Sequence, residues 1–316
     1  MKRLGGETDG SDSAGKFSSA AKGESLEDTI LTVNGYSPNV IVLRHPENNA
    51  AQRAAAVSKV PIINGGSGSG EHPTQALLDV YTILKELGRV DGIKIAFVGD
   101  LANGRTVKSL AYLLAKLFQG VETRFVAPPE LKISEEIKNY LAEKKVVFSE
   151  HSDLREVAPE VDVIYATRIQ RERLGQNIVD YKKIREKLVV DENLMEILPE
   201  KSIVMHPLPV NQEDLEIDPA IYDDPRWAGF RQSENGLYVR MALLQILINP
   251  PIEKREIAKS LDEQIAKYKT AGYGPKCGVC EKILKNKKWL KIKLPEFFTR
   301  TLPTIICPSC RPNTKK

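Results

Sequence analysis

The chain has 316 residues, 41% of them hydrophobic and 28% charged, which makes it globular and long enough for two ordinary domains with a small appendage. No apolar run approaches the roughly 18 residues of a membrane span, and Lys2 and Arg3 lead into glycines and polar residues instead of a signal peptide's apolar core, so a cytoplasmic location is expected. The net charge of +4 divides unevenly: from Lys269 onward twelve basic residues face two acidic ones, and the remainder holds 34 basic against 40 acidic. All four cysteines lie in that basic tail, and a body without cysteine fits a reducing compartment.

In chain order, Leu4-Gly5-Gly6 has the form of a helix end and turn, and residues 11–23 are a Ser/Gly/Ala/Lys loop before a helix over 24–33. A strand over 39–43 ends in Arg44-His45-Pro46, at the strand end where open α/β sheets place ligand groups. A helix over 50–57 and a strand over 60–64 follow. The next stretch, NGGSGSGEHPTQ (64–75), is a glycine-rich crossing into a helix over 76–84. Its glycines let the backbone approach a ligand closely. They deliver His72 and Gln75 to a helix mouth, where free N–H groups and the helix dipole favour anions.

Asp91-Gly92 then leads into a strand over 93–100, a turn, and a helix over 107–118. Gly99 and Gly104 stand five apart, which is not the dinucleotide pattern G-x-G-x-x-G. Arg105 sits at a helix N-terminus against the dipole's preference, a placement costing up to about 1 kcal/mol. Alternation continues with strands over 123–126 and 146–149 around a helix over 134–143 capped by Ser134. After a short helix over 154–157, a strand over 161–167 ends in Arg168-Ile169-Gln170. A helix over 194–198 precedes a strand over 202–205 that runs into His206-Pro207-Leu208-Pro209. A long helix over 233–247 is stopped by Pro250-Pro251, and a charged helical linker over 253–269 follows. Such alternation predicts an α/β fold of doubly wound parallel sheets with helices on both faces.

The polar groups at strand ends are Arg44, His72, Gln75, Arg105, Arg168 and Gln170. Three arginines and a histidine in one crevice make an anion site, because guanidinium forks match carboxylates and phosphates two bonds at a time. The body offers no metal-ligand cluster and no Ser–His–Asp or Cys–His set in its sequence. These residues point to a small polyanionic substrate handled by positioning and charge. His206 reads as structural, and His45 and His151 carry no assigned role.

The segments VLRHPENNAA, HPTQALLDVYTI, VGDLANGRTVKSLA, ATRIQRERL, MHPLP and FRQSENGLYVRMALL resemble, in order, the signatures of the aspartate/ornithine carbamoyltransferase family, over residues 1 to about 250. The aspartate branch is the better match, because Pro207 stands where the ornithine branch usually has cysteine. The resemblance implies that Arg44, His72 and Gln75 hold carbamoyl phosphate, with Arg44 and His72 polarising the carbonyl oxygen and Gln75 contacting the amide. It implies that Arg105, Arg168 and Gln170 grip the carboxylates of aspartate, and that the carbonyls of Pro207 and Leu208 orient the amine and carbamoyl NH2 groups. Ser18 (or Ser19) and Lys22 would reach into a neighbouring subunit's site in a homotrimer with shared active sites. The implied chemistry is attack of the amine on the carbonyl with phosphate leaving, with no catalytic metal. Implied domains are 1–90 for carbamoyl phosphate, closed by helix 233–249, and 91–232 for aspartate, with 250–270 a linker.

Two departures stand out. The family's Ser-Thr-Arg-Thr-Arg phosphate loop is absent, since Met1-Lys-Arg-Leu-Gly-Gly6 matches the segment after the helix that follows it. Val210 also replaces a usual arginine. The first departure reads either as a sequence truncated to an internal Met or as an impaired paralogue acting as an anion-binding scaffold or regulatory partner. Intact remaining ligands favour the former.

Finally, Cys277-Gly-Val-Cys280 and Cys307-Pro-Ser-Cys310 are two C-x-x-C knuckles with 26 residues between them, a spacing that predicts a four-thiolate structural zinc module over 271–316. The family's separate regulatory chain carries a comparable zinc domain, so a docking or structural module is expected, and a regulatory chain is a possible partner. Nucleic-acid binding is not expected, because thiolates offset some of the basic charge and Lys-rich faces are ordinarily solvated.

Overall fold

The computed structural model describes residues 1–10, 23–169, 181–211 and 216–249, and the backbone of four short strands between residues 273 and 305. Residues 1–248 form one compact unit and 249–316 a second. The expected roles of Ser18, Lys22 and Gln170, and the helical linker, lie outside the described residues.

The first unit opens with a single 3-10 turn, Lys2–Leu4, closed by Gly5 in the left-handed region at φ 74°. Helix α1 (Leu26–Asn34) is capped by the Ser25 side chain, which accepts from the Asp28 N–H. Strands β1 (Ile41–His45) and β2 (Ile62–Ser67) pair in parallel, joined through α2 (Ala50–Val57). Helix α3 (Pro73–Leu87) then starts three residues earlier than the sequence pattern indicates. Proline at its first position lacks only an N–H that the first turn leaves unbonded anyway.

A five-stranded sheet forms the centre: β3 (Lys94–Val98), β4 (Glu122–Val126), β5 (Val147–His151), β6 (Val163–Ala166) and β7 (Ile203–Met205). Its order is β5-β4-β3-β6-β7 with every pair parallel. The chain winds outward from β3 to β5 and then returns to β3's other side, so the winding reverses between β3 and β6. Open sheets bind ligands beyond the strand ends at such a reversal.

Both sheet faces are covered, as parallel sheets require. Alternate residues Ile95, Phe97, Phe125 and Tyr165 pack with Val107, Leu110 and Leu114 of α4 (Arg105–Leu117). Their neighbours Ala96, Val98, Val126 and Ile164 pack on the other side, with Leu194 of α7 (Glu192–Ile197) and Trp227. Phe97 stacks on Phe125 at 5.6 Å between centroids and meets Tyr165 edge-on at 5.7 Å. Helix α8 (Gly229–Ile248) returns the chain to α3, where Asn235 donates to Thr82 and Arg231 forks onto Glu86.

Several local expectations need correction. Helix α4 begins at Arg105 and α8 at Gly229, both earlier than expected. The short helix expected over 154–157 is a 3-10 turn, Leu154–Glu156. Ser134 occupies the N-cap of α5 (Glu135–Glu143), but its hydroxyl makes no capping bond. Helix α6 (Tyr181–Leu188) was not anticipated, because five of its eight residues, YKKIREKL, are charged and mask the helical period.

In the second unit the strand order is β10-β9-β8-β11, for β8 (Tyr273–Cys277), β9 (Ile283–Lys285), β10 (Lys288–Leu290) and β11 (Thr304–Ile305). The first three are antiparallel, and β11 joins β8 in parallel with Ile305 opposite Cys277.

Phe97 is fully buried between two aromatic neighbours. Phe97→Ala should therefore cost about 3–5 kcal/mol of unfolding free energy, measured by urea denaturation of the full chain. A loss below about 1 kcal/mol would contradict this core.

Candidate active site

Three loop ends meet above the sheet reversal. The loop after β3 is held close to β6: Gly99 has φ +114°, and a Cβ there would lie 2.3 Å from the Thr167 carbonyl. Only glycine fits so tight an approach. The same geometry sets Arg105, at the head of α4, and Arg168, just beyond β6, at neighbouring strand ends. The third element is the glycine loop after β2. Gly66, at φ +126°, lies under the Arg105 guanidinium, and Arg105 Nη1 donates to the Gly68 carbonyl at 2.9 Å.

His72 is the N-cap residue of α3, with its backbone N–H bonded to Ser109 Oγ of α4 at 2.8 Å. Its ring nitrogen Nδ1 lies 3.3 Å from Thr74 Oγ1. A hydroxyl that donates there leaves the ring proton on Nε2. Burial pushes the imidazole down to about 4, and the charges of Arg105, Arg44 and Arg240 push in the same direction. His72 is thus neutral at pH 7 and donates without adding charge. Burial also lowers Arg105, with Arg44 contributing.

Six arginines elsewhere (Arg53, Arg89, Arg124, Arg155, Arg226 and Arg231) are paired with carboxylates. Among the described residues neither Arg44 nor Arg105 is. Arg3, Arg185 and Arg240 also lack a carboxylate partner among the described residues, so what distinguishes Arg44 and Arg105 is placement: their charges act on one another and on His72, and an anion entering there meets both.

Beside them a cleft of about 100 Å³ is lined by Gln75, Pro207, Leu208, Gln232, Ser233 and Arg240, among others. The sequence-based set is therefore brought together in two groups. Arg44, His72 and Arg105 share one electrostatic field, and Gln75 shares a cleft with Pro207 and Leu208. Arg168 is exposed at the end of β6 and engaged in an interaction of its own.

Beneath the cleft lies a polar network that sequence reasoning missed. Asp79, fully buried, accepts from Gln75 Nε2 (2.9 Å), Gln232 Nε2 (2.6 Å) and the Tyr165 hydroxyl (2.8 Å). Gln232 Oε1 accepts the His206 N–H at 2.9 Å. His206 Nδ1 accepts the Leu208 N–H at 2.9 Å, and its Nε2 lies 3.1 Å from Glu216 Oε1, which also accepts the Asn211 N–H. His206 is structural, and it also fixes the Pro207–Leu208 backbone, where Leu208 has φ +50° and precedes a cis proline. The available signal was Asp79 itself, a carboxylate four residues after Gln75 on an apolar helix face. Arg240, on α8, was likewise overlooked.

His45 Nδ1 accepts the Glu47 N–H at 3.1 Å in a local turn. His151 lies between Ser149 Oγ (2.7 Å) and Glu156 Oε2 (3.1 Å), away from the cleft. Among the described residues no helix is long and apolar enough to cross a membrane.

Residues 1–85 match the carbamoyl-P binding domain, and residues 91–247 the Asp/Orn binding domain, of aspartate/ornithine carbamoyltransferases. An Arabidopsis thaliana chloroplastic aspartate carbamoyltransferase is 56% identical over 248 residues, covering 78% of this chain and 62% of that protein. The catalytic subunit of Methanocaldococcus jannaschii aspartate transcarbamoylase superposes with a TM-score of 0.72 at 49% identity, covering 78% of each chain. A Trypanosoma cruzi aspartate transcarbamoylase, solved with N-(phosphonacetyl)-L-aspartic acid, superposes at 0.70 with 42% identity, covering 77% of this chain and 76% of the other. The chain spans 62–67% of the length of the first plant relatives it matches.

The depressed His72 predicts a measurable titration. Its ring should protonate near pH 4, against about 6.5 in the unfolded chain. The folded state then binds fewer protons over that window, so this contribution to stability is complete above pH 6.5 and is lost as pH falls toward 4. Arg105→Gln should move the midpoint upward. NMR of the imidazole reads both, and a midpoint above 6 in the unaltered chain would refute the electrostatic description.

Proposed function

The chain belongs to the aspartate/ornithine carbamoyltransferase family, and we propose from that premise that it transfers the carbamoyl group of carbamoyl phosphate to the amine of L-aspartate. The products are N-carbamoyl-L-aspartate and phosphate, as in pyrimidine biosynthesis. The observation that carries this reading is the pair of uncompensated arginines beside a neutral histidine, next to a cleft edged by Gln75 and the Pro207–Leu208 backbone.

The aspartate amine forms a bond to the carbonyl carbon and the carbonyl oxygen takes up negative charge; the C=O bond then re-forms as the C–O bond to phosphate breaks, and the departing phosphate takes the proton that the amine sheds. Arg44 and the neutral His72 donor face that oxygen. Donors aimed at developing charge inside a cleft are the largest single catalytic effect available without a covalent intermediate. Gln75 and the carbonyls of Pro207 and Leu208 orient NH2 groups. Arg105, Arg168 and Gln170 hold the two carboxylates, and positioning both substrates lowers the entropic part of the barrier. We assign the carbamoyl phosphate half to residues 1–90 with helix 233–249, and the aspartate half to 91–232. A cytoplasmic homotrimer, with Ser18 and Lys22 reaching a neighbour's site, is part of the same proposal, as is an optional regulatory chain.

For the tail we propose a structural zinc ion held by Cys277, Cys280, Cys307 and Cys310 as thiolates. The spacing of the two C-x-x-C pairs supports it; Cys277 ends β8 opposite Ile305 of β11, and Cys280, Cys307 and Cys310 lie outside the described residues. Four thiolates suit a closed tetrahedral site that stabilises a small module.

Colorimetric detection of carbamoyl aspartate with the full chain tests the activity. Binding of the substrates without turnover would favour a scaffold. Given turnover, Arg168→Ala should raise KM for aspartate at least about tenfold, as loss of a charge-assisted grip implies, with little change for carbamoyl phosphate. The reverse pattern would contradict its role. Metal analysis should find one zinc per chain, lost in Cys277→Ser, and a folded, zinc-free tail would refute the module.

A further inference from the structure

Asp79 has no exposed surface and sits one helical turn beyond Gln75 on α3. Its Oδ1 accepts from two side-chain amides, Gln75 at 2.9 Å and Gln232 at 2.6 Å, while Oδ2 accepts the Tyr165 hydroxyl at 2.8 Å. The orientation of each amide follows from what its partners can do. Gln232 Oε1 takes a backbone N–H, that of His206, which cannot become an acceptor. The Gln232 NH2 must then face Asp79. Turning Gln75 over would press its carbonyl oxygen against a carboxylate oxygen, so its NH2 also faces Asp79. Its Oε1 is left for the cleft that Gln75 lines.

We propose that Asp79 is a positioning residue that fixes Gln75 as a hydrogen-bond acceptor toward the cleft, and so makes the site select an acyl phosphate whose carbonyl carbon carries NH2. This rests on the carbamoyl-transfer reading above. The same network serves a second acceptor. Through Gln232 and His206 it holds the backbone of Pro207 and Leu208, two residues that line the cleft and whose carbonyls the proposed function gives to NH2 groups. An NH2 group has two hydrogens and meets an acceptor for each. The methyl group of acetyl phosphate, nearly the same size, leaves both acceptors buried without a partner, and such sites reject the deficient analogue strongly.

Protonation of Asp79 leaves this arrangement intact. Burial pushes its carboxyl up to about 7, and Oδ1 is already committed to two donors. A proton therefore resides on Oδ2 and is donated to Tyr165, whose hydroxyl has Thr106 as a further partner.

The test measures dissociation constants of carbamoyl phosphate and acetyl phosphate by calorimetry on the full chain, with carbamoyl aspartate formation followed in parallel. The unaltered chain should prefer carbamoyl phosphate, and Asp79→Ala should cut that preference about tenfold, the effect expected when one oriented hydrogen bond is lost. Asp79→Asn should retain it within about twofold, since the Asn carbonyl can still accept from both amides while its NH2 faces Tyr165. If Asp79→Ala does not fold, Gln75→Met, which leaves Asp79 two donors, must lose the preference to the same extent. A preference that survives Asp79→Ala or Gln75→Met overturns the inference, as does a chain that fails to discriminate at all. An Asp79-dependent preference without turnover would sink the proposed activity and leave this inference standing; turnover with an Asp79-independent preference would do the reverse.

Discussion

A carboxylate without access to water sits where α3 and α8 meet the central sheet, and three donors hold it there. A buried charge is costly unless it is hydrogen-bonded, and bonds to a charged group contribute roughly 1.5–3 kcal/mol each, enough together to offset much of the desolvation. The donors come from three different places: Tyr165 from the middle of the sheet, Gln75 from the first turn of α3, and Gln232 from the returning helix α8. Asp79 therefore fixes how the glycine-loop helix lies on the sheet. Further rungs continue along the same helix pair, where Asn235 donates to Thr82 and Lys85 to Asn235. The helices come so close that a Cβ on Gly236 of α8 would stand 3.1 Å from the Leu78 side chain of α3. Fold and site share these contacts, so neither can shift without the other.

The charge distribution above that network is unbalanced in one place. Elsewhere the chain neutralises six arginines locally, some with two-pronged geometry, as in Arg231 with Glu86. At the sheet reversal it gathers Arg44, Arg105 and Arg240 around a histidine that they help to keep neutral. Repulsion among these groups is a standing cost to the folded state, and a polyanion that enters offsets it. A neutral His72 fits the arrangement, since it gives a hydrogen bond to an oxygen gaining charge and does not add to the repulsion.

Much of this was legible in the sequence because strand ends are. A run of apolar residues stops where a sheet stops, and the polar residue that follows falls at the ligand edge, which located Arg44, Arg105 and Arg168. Gly66 and Gly99 were visible as glycines, but not as the platform under Arg105 or the gap beside Thr167. The buried network was not legible, because polar periodicity within a helix does not say what will cover it. Asp79 stands out only as a carboxylate on an apolar helix face; its cover comes from α8, more than 140 residues away in sequence, which lays Gln232 over it. Helix α6 failed for the opposite reason, its charge hiding the apolar stripe. Boundaries at α3, α4 and α8 shifted because a proline or glycine that reads as a breaker serves as a starter at a helix's first turn.

The cluster of Ser149, His151 and Glu156 shows why geometry between side chains is not sufficient to make a site. A hydroxyl, an imidazole and a carboxylate stand in line at 2.7 and 3.1 Å, an arrangement that serves nucleophilic catalysis elsewhere. Yet Ser149 and His151 are two residues apart on β5, the outermost strand of the sheet, far from the reversal between β3 and β6. Alternation alone places such a pair side by side on one face of any strand. Arg44, Arg105 and His72 come from three separate segments, and only the parallel winding of the sheet and the tight glycine crossings bring them together. Convergence that the local chain does not enforce must be maintained by long-range contacts, at a cost in repulsion. That is what separates a binding site from a neighbourly accident of the strand.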